Sequence, residues 1–178
     1  MKIRIADITE KTKFIETVEE VNSFPTLIQA QDAGECKFLS PVSVSLSFSK
    51  EFDHILVQGS VGTKVSLSCS RCLSEFSSDL SSTFTIFYTK ALTAQPEDEV
   101  ELGEQDLISA TYSGDEIDLS AEIAEQILLE IPYKPLCAEE CSGLCASCGA
   151  DLNNSDCSCN SNAVSMAFSS LQGLKVKH

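Results

Sequence analysis

The 178-residue chain lacks tryptophan, has only two histidines, and carries 12 lysine and arginine residues against 27 aspartate and glutamate residues. Neither His54 nor His178 belongs to a recognisable catalytic pattern, and no glycine-rich phosphate-binding loop is present. The formal net charge of −15 argues against RNA binding driven by phosphate neutralisation, which requires clustered positive charge. The sequence therefore favours a non-enzymatic binding protein.

Long apolar runs are also missing. None approaches the roughly 20 residues that span a bilayer, and the opening MKIRIADITEKTK has no apolar stretch behind its charges. We therefore expect a cytoplasmic protein with no membrane partner, in a compartment where thiols stay reduced. Nine cysteines in such a compartment need a role other than disulfide bonding.

Residues 41–90 alternate apolar and polar side chains with a period of two, which predicts an antiparallel sheet with one wet face. Serine and threonine fill most polar positions, and Gly59 and Gly62 punctuate the middle. Residues 2–5 could add an edge strand. The alternating apolar residues are Val42, Val44, Leu46, Phe48, Ile55, Val57, Val65, Leu67, Phe84, Ile86 and Tyr88.

Two helices are predicted after the sheet. The first is capped by Asp118, runs to about Ile131 and is stopped by Pro132 and Pro135. Its apolar face consists of Leu119, Ile123, Ile127, Leu128 and Ile131. The second is a short C-terminal helix whose apolar side consists of Val164, Ala167, Phe168, Leu171 and Leu174.

The expected fold class is α+β, with a mainly antiparallel sheet or partial barrel, one packing helix and a C-terminal cysteine-rich zinc-binding knob. The expected division is a β domain with an acidic loop and the packing helix over residues 1–135, followed by a metal-binding segment with a terminal helix over residues 136–178.

Residues 91–133 contain twelve acids and no lysine or arginine. Two interpretations stay open for this stretch: a solvated connection, which is the usual role of a charge run, or a docking surface for a basic partner. Half of the acids fall in one long connection after Pro96, namely Glu97, Asp98, Glu99, Glu101, Glu104 and Asp106.

Eight of the nine cysteines form short-spaced pairs among Gly, Ser, Asn and Asp residues, where one turn can present two sulfurs to one ion. Gly149 follows Cys148 directly and can adopt the positive φ that such a turn needs. Simple apolar packing suits only the unpaired Cys36. A redox C-x2-C motif normally opens a helix after a strand, whereas Cys69 and Cys72 stand between two strand-like segments. The metal-ligand candidates are Cys69, Cys72, Cys137, Cys141, Cys145, Cys148, Cys157 and Cys159.

The spacing suggests how these cysteines divide. The last four form a compact unit that can close locally, and we call Cys145, Cys148, Cys157 and Cys159 the second cysteine group. Folding the predicted helix back over the sheet would bring the remaining pairs together, and we call Cys69, Cys72, Cys137 and Cys141 the first cysteine group. All-thiolate, closed sites favour two Zn²⁺ ions over iron–sulfur clusters, which is the alternative for such cysteines. Closed coordination leaves no position for a reactive water, so we expect the ions to be structural and not catalytic.

The ordered motifs resemble those of the YceD family, the bacterial large ribosomal RNA subunit accumulation proteins, over nearly the whole chain. The likeness rests on Cys69-Ser-Arg-Cys72-Leu73, on Glu130-Ile-Pro, and on Cys141-Ser-Gly-Leu-Cys145 leading through Cys148-Gly to Leu152-Asn153. The family pattern favours proline where this chain has Ala146, which affects the rigidity of the turn and not its ligands.

The resemblance implies a role in synthesis, processing or stability of 23S rRNA during large-subunit assembly. Because the chain is so acidic, we expect it to act on rRNA indirectly, through a basic ribosomal protein or a large-subunit assembly factor. The alternative is a zinc-thiolate redox sensor or redox-regulated chaperone, in which oxidation would release the metal.

Overall fold

The computed structural model describes residues 1–91 and 109–159, which form eight strands and two α-helices. Two short 3-10 turns, Ile5–Asp7 and Val21–Ser23, precede the first helix. This content confirms the α+β class. In chain order the elements are β1 (Lys2–Arg4), β2 (Lys13–Glu19), α1 (Pro25–Asp32), β3 (Lys37–Phe38), β4 (Val42–Glu51), β5 (His54–Ser68), β6 (Glu75–Lys90), β7 (Ser109–Tyr112), β8 (Glu116–Asp118) and α2 (Ser120–Leu129).

Six strands form one mixed sheet with the order β2-β4-β5-β6-β7, and β3 pairs with β5 off this path. All pairs are antiparallel except β6 with β7. Within the described residues β2 and β7 remain at opposite ends of the order, so the sheet is not closed. Strands β1 and β8 form a separate antiparallel pair in which Ile3 lies opposite Ile117.

The period-two pattern predicted the buried face of the sheet correctly. Val42, Val44, Leu46 and Phe48 of β4 are buried, and Ser43 between them is exposed. The same alternation continues into β5, where Ile55, Val57, Val65 and Leu67 are buried. These residues form one hydrophobic core with the inward faces of both helices.

Helix α2 lies over β5 and β6 and closes this core. It begins at Ser120 and ends at Leu129, inside the predicted bounds, and its residues Ile123 and Ile127 are buried. Asp118 Oδ1 accepts a hydrogen bond from the Ser120 amide at 3.0 Å. The Ser120 hydroxyl, and then this amide, lower the pKa of Asp118. Asp118 thus accepts a hydrogen bond from a free N–H at the start of the helix. The N-cap residue, however, is Leu119, which makes no side-chain capping hydrogen bond, so the prediction placed the cap one residue too early.

A partly buried hydrogen bond ties α2 to the sheet. The Tyr88 hydroxyl of β6 donates to Glu122 Oε1 at 2.9 Å. Burial, with the neighbouring Glu122 carboxylate, raises the pKa of Tyr88, so the phenol remains a donor at physiological pH.

Gly59 is required by the packing of β5 between its neighbours. It pairs with Leu46 on one side and Phe84 on the other. A Cβ there would lie 2.4 Å from Phe84 Cζ and 2.7 Å from Leu46 Cδ2. The Phe84 ring therefore occupies the space that a side chain would need.

We expect Gly59→Ala to destabilise the protein by about 1–3 kcal/mol, the usual cost of overpacking a core. Gly62→Ala on the same strand is the matched control, because its nearest non-neighbouring atom would be the Ser43 Oγ at 3.2 Å. Urea unfolding of both variants measures the difference, and equal losses would contradict this account of Gly59.

Two predicted features lie outside the described residues: the acidic run from Glu97 to Asp106, and the apolar side of the C-terminal helix from Val164 to Leu174. The division at residues 135 and 136 stays a prediction. Among the described helices, none is long and apolar enough to cross a membrane.

Candidate metal centres

The first C-x2-C pair forms the tight turn that joins β5 to β6. The Cys69 amide donates to the Ser74 carbonyl at 2.9 Å, and the Leu73 amide donates back to the Cys69 carbonyl at 2.9 Å. The Arg71 amide points at the Cys69 sulfur at 3.4 Å. Leu73 adopts φ +59°, a conformation that favours glycine. We call such a turn, with main-chain N–H groups facing a sulfur, a knuckle.

The second C-x2-C pair repeats this geometry position by position. The Cys145 amide donates to the Ala150 carbonyl at 2.8 Å, and the Gly149 amide donates to the Cys145 carbonyl at 2.8 Å. The Ser147 amide points at the Cys145 sulfur at 3.4 Å. Gly149 has φ +73° and stands where the first knuckle has Leu73. The positive φ expected at Gly149 is therefore present.

The first cysteine group assembles where the segment after α2 returns to the first knuckle. The Ser70 amide donates to the Pro135 carbonyl at 2.8 Å, which places the following cysteines beside the turn. The Cys69 and Cys141 sulfurs lie 3.7 Å apart, and those of Cys72 and Cys137 lie 3.6 Å apart. Of the four residues only Cys137 is exposed.

The second cysteine group lies nearer the surface. The Cys157 sulfur is 3.3 Å from that of Cys145 and 3.5 Å from that of Cys148. The Cys159 amide points at the Cys157 sulfur at 3.3 Å. Cys148 and Cys159 are exposed.

The sulfur separations in each group are compatible with four ligands around a single ion. Four sulfurs placed about 2.3 Å from one ion would be about 3.8 Å apart, whereas a disulfide would bring two of them to about 2.05 Å. In each group the four sulfurs lie within 4.8 Å of one another. The structure brings together the same two sets of four cysteines that the spacing predicted, and each set could hold a metal ion.

The electrostatics of the knuckles favour thiolates. Main-chain N–H groups, those of Cys137 and then Cys72 first among them, lower the pKa of Cys69 to about 6. The amides of Cys148 and Ser147 likewise lower the pKa of Cys145 to about 6. Each knuckle therefore favours the thiolate form at one sulfur, whereas hydrogen bonds to neighbouring sulfurs raise the pKa of Cys137 and Cys159.

The ninth cysteine lies outside both groups. Cys36 is buried in the main core, and burial, with the neighbouring Glu35, raises the pKa of its thiol. This is the behaviour of a small apolar residue, as the sequence indicated.

Sequence reasoning missed two residues that support the sulfurs. Arg71 Nη1 donates to the Cys141 carbonyl at 2.8 Å and to the Glu139 carbonyl at 3.2 Å, which fastens the returning segment to the first knuckle. Asn153 Nδ2 donates to the Cys141 sulfur at 3.4 Å. Both residues stand inside the cysteine motifs, so the motif itself was the available signal.

Comparison with known proteins places this geometry in a family. A family model described as large ribosomal RNA subunit accumulation protein YceD matches residues 57–175, a range that includes all eight paired cysteines. The chain belongs to the YceD family. No solved structure matches the chain.

Curated relatives come from plants and mycobacteria. A large ribosomal RNA subunit accumulation protein YCED homolog 1, chloroplastic, of Zea mays is 30% identical over 162 residues, which cover 76% of this chain and 54% of that protein. The protein of the same name from Arabidopsis thaliana is 26% identical over 157 residues, covering 76% and 49%. An uncharacterized protein of Mycobacterium tuberculosis is 32% identical over 100 residues, covering 55% and 45%. The chain thus spans about half the length of these relatives.

Proposed function

We propose that this protein is a non-enzymatic, zinc-binding factor that supports accumulation of 23S rRNA during large-subunit assembly, through its synthesis, processing or stability. The family match over residues 57–175 is the observation that carries this proposal. Membership in the family supports the link to the large ribosomal RNA. The geometry of the cysteine groups supports metal ions as the cross-links that would hold the fold together.

The first cysteine group would hold one Zn²⁺ ion and the second would hold another. Zinc is the ion that closed four-thiolate sites usually take. Such an ion cross-links the chain and contributes folding free energy, and its closed coordination leaves no position for a substrate. The first group would fasten the segment after α2 to the β5–β6 turn, and the second would order the chain around Cys145–Cys159.

A basic protein partner is supported by the charge of the chain and by one cavity. The cavity, of about 820 Å³, lies across β2, β4, β5 and β6 and is lined largely by serine and threonine residues. Its charged lining residues are Glu16 and Glu130, and no lysine, arginine or histidine of the described residues lines it. These two carboxylates and the net negative charge of the chain would attract a lysine- or arginine-rich segment of a ribosomal protein or assembly factor, and long-range attraction would speed its binding.

The experiment that tests this function removes the protein from its own cells. We expect the ratio of 23S to 16S rRNA to fall and to recover when the wild-type gene is restored. Capture of basic large-subunit proteins by the tagged protein should survive ribonuclease and weaken as salt rises. An unchanged 23S to 16S ratio would contradict the proposed role, and tight binding of naked 23S fragments at physiological salt would contradict the indirect mechanism.

A redox-regulated function is the second candidate, and the exposure of Cys148 and Cys159 favours it. Oxidants reach exposed thiolates more readily than buried ones. Zinc that leaves reversibly at low peroxide would support this candidate, whereas zinc that stays bound would support the assembly role alone.

A further inference from the structure

Asn153 belongs by sequence to the second cysteine group but contacts the first. It lies in the loop between Cys148 and Cys157, and yet its Nδ2 donates to the Cys141 sulfur at 3.4 Å. Its Oδ1 accepts the amide of Ser142 at 2.7 Å, so the same side chain also holds the main chain next to Cys141. One carboxamide therefore fixes both the charge environment and the position of a sulfur in the other group.

The position of Asn153 depends on the hairpin that carries the second knuckle. Leu144 and Asp151 form a β-bridge, and the Leu152 amide donates to the Gly143 carbonyl at 2.9 Å. Asp151 Oδ1 then accepts from the Asn153 amide at 3.0 Å and from its Nδ2 at 2.7 Å. The hairpin that carries the second knuckle therefore also holds the Asn153 side chain in the position from which it contacts Cys141.

A hydrogen bond to a ligand sulfur matters because four thiolates around a divalent ion leave two excess negative charges. Donors outside the ligand shell stabilise that charge and orient the ligand, and their loss typically costs 10–100-fold in metal affinity. Such coupling is reciprocal in equilibrium binding, so if metal in one group raises the metal affinity of the other, the second raises that of the first by the same factor.

We propose that Asn153 couples the two cysteine groups, so that ordering of the second group raises the metal affinity of the first and the reverse. This proposal rests on the metal binding in the proposed function. The second group is the more exposed, so a chelator would empty it first. Loss of order there would release Asn153 from Cys141 and weaken the first group in turn.

Competition titrations of the purified full chain with a chromophoric zinc chelator test the coupling. Cys157→Ser disables the second group, so only the first group can still bind zinc. Its affinity should be 10–100-fold lower than the tighter of the two zinc affinities of the wild type. Asn153→Ala should lower that tighter affinity by a similar factor. In the double variant the two effects should overlap and not add, as a double-mutant cycle reveals.

Two further variants keep the test specific. Asn154→Ala is the matched control, because Asn154, like Asn153, donates a side-chain hydrogen bond to Asp151 but reaches neither sulfur group. It separates loss of support for Asp151 from loss of the Cys141 contact, and it should change the zinc constants much less than Asn153→Ala. Asn153→Asp keeps the size of the side chain and places a carboxylate beside the Cys141 sulfur, so it should lower the affinity further than Asn153→Ala.

The outcomes separate the coupling from the proposed function. Two results would overturn the coupling and leave the zinc sites standing. The first is a wild type that holds two zinc ions with affinities that Asn153→Ala does not change. The second is a Cys157→Ser variant that keeps the tighter zinc affinity. A wild type without zinc overturns both.

Discussion

Cys69→Ser is expected to lower the zinc content from about two ions per chain to about one, and to destabilise the whole described fold by at least about 4 kcal/mol. Losses of this size come from a short set of causes, and loss of a metal site is one of them. The Cys69 sulfur is fully buried and faces that of Cys141, 72 residues further along the chain. A serine would leave the metal site with one thiolate fewer, and it would place a hydroxyl in a buried position.

Cys157→Ser is expected to remove one zinc ion as well but to cost much less stability. The Cys157 sulfur faces those of Cys145 and Cys148, 12 and 9 residues away. Closing a loop of 72 residues restricts the unfolded chain more than closing one of 12, by about 1.6 kcal/mol for flexible loops. The first group also joins the β5–β6 turn to the segment after α2, whereas the second lies near the surface.

Thermal melts and elemental analysis of the two variants decide the comparison. We expect the midpoint to fall by about 10 °C or more for Cys69→Ser and by a few degrees for Cys157→Ser. Cys36→Ser is the control for losing a buried thiol outside both groups, and its zinc content should stay at about two. Equal effects of the two ligand variants, or the reverse order, would mean that the first group does not hold the fold together.

The fold was predictable wherever one face of an element is apolar along its length. Strand β4 alternates Val42, Val44 and Leu46 with serines, and all three are buried. Helix α2 likewise buries the predicted residues Ile123 and Ile127. In both elements, burial on one side and solvent on the other make the period of the pattern visible in the sequence.

The missed elements lack that contrast between faces. Strand β2 exposes the apolar residues Phe14 and Val18, while the polar Thr17 on its inward face is half-buried. This edge strand therefore carries apolar and polar residues on both faces, and its sequence shows no clear alternation. Helix α1 has only eight residues, of which Leu27 and Ala30 are buried, too few to establish a period. The parallel pairing of β6 with β7 joins two consecutive strands, and β7, with only four residues, is too short to establish a period in the sequence.

The two C-x2-C pairs and the locally closed second group were predictable from spacing because a knuckle is a local structure, whereas the first group also required the predicted return of the chain after α2. Two sulfurs three residues apart on one turn require little besides a residue that tolerates positive φ. The supporting contacts of Arg71 and Asn153 were not predictable in this way. Each reaches across to another segment, and the sequence does not specify which carbonyl or sulfur it meets.

Gly143 is a further position where the two cysteine groups depend on close packing. It lies between Cys141 and Cys145 with φ +73°. A Cβ there would lie 3.1 Å from the Arg71 carbonyl oxygen and 3.3 Å from Arg71 Cβ. The first contact is with the main chain of the first knuckle, which the Ser70 hydrogen bond to Pro135 holds in place. It therefore has little room to move away.

Gly143→Ala is accordingly expected to cost about 2–3 kcal/mol and to weaken zinc binding by both groups. About 1–2 kcal/mol of this is the strain of an L-residue at positive φ, and the remainder comes from pushing residues 141–145 off the first knuckle. Gly34→Ala isolates the strain, because Gly34 has φ +79° and a Cβ there would have no other heavy atom within 4 Å. Urea unfolding gives the two losses, and chelator competition gives the zinc constants. Equal losses in the two variants would show that the Arg71 contact carries no energy, and unchanged zinc constants in Gly143→Ala would show that the close approach does not hold the two groups in register.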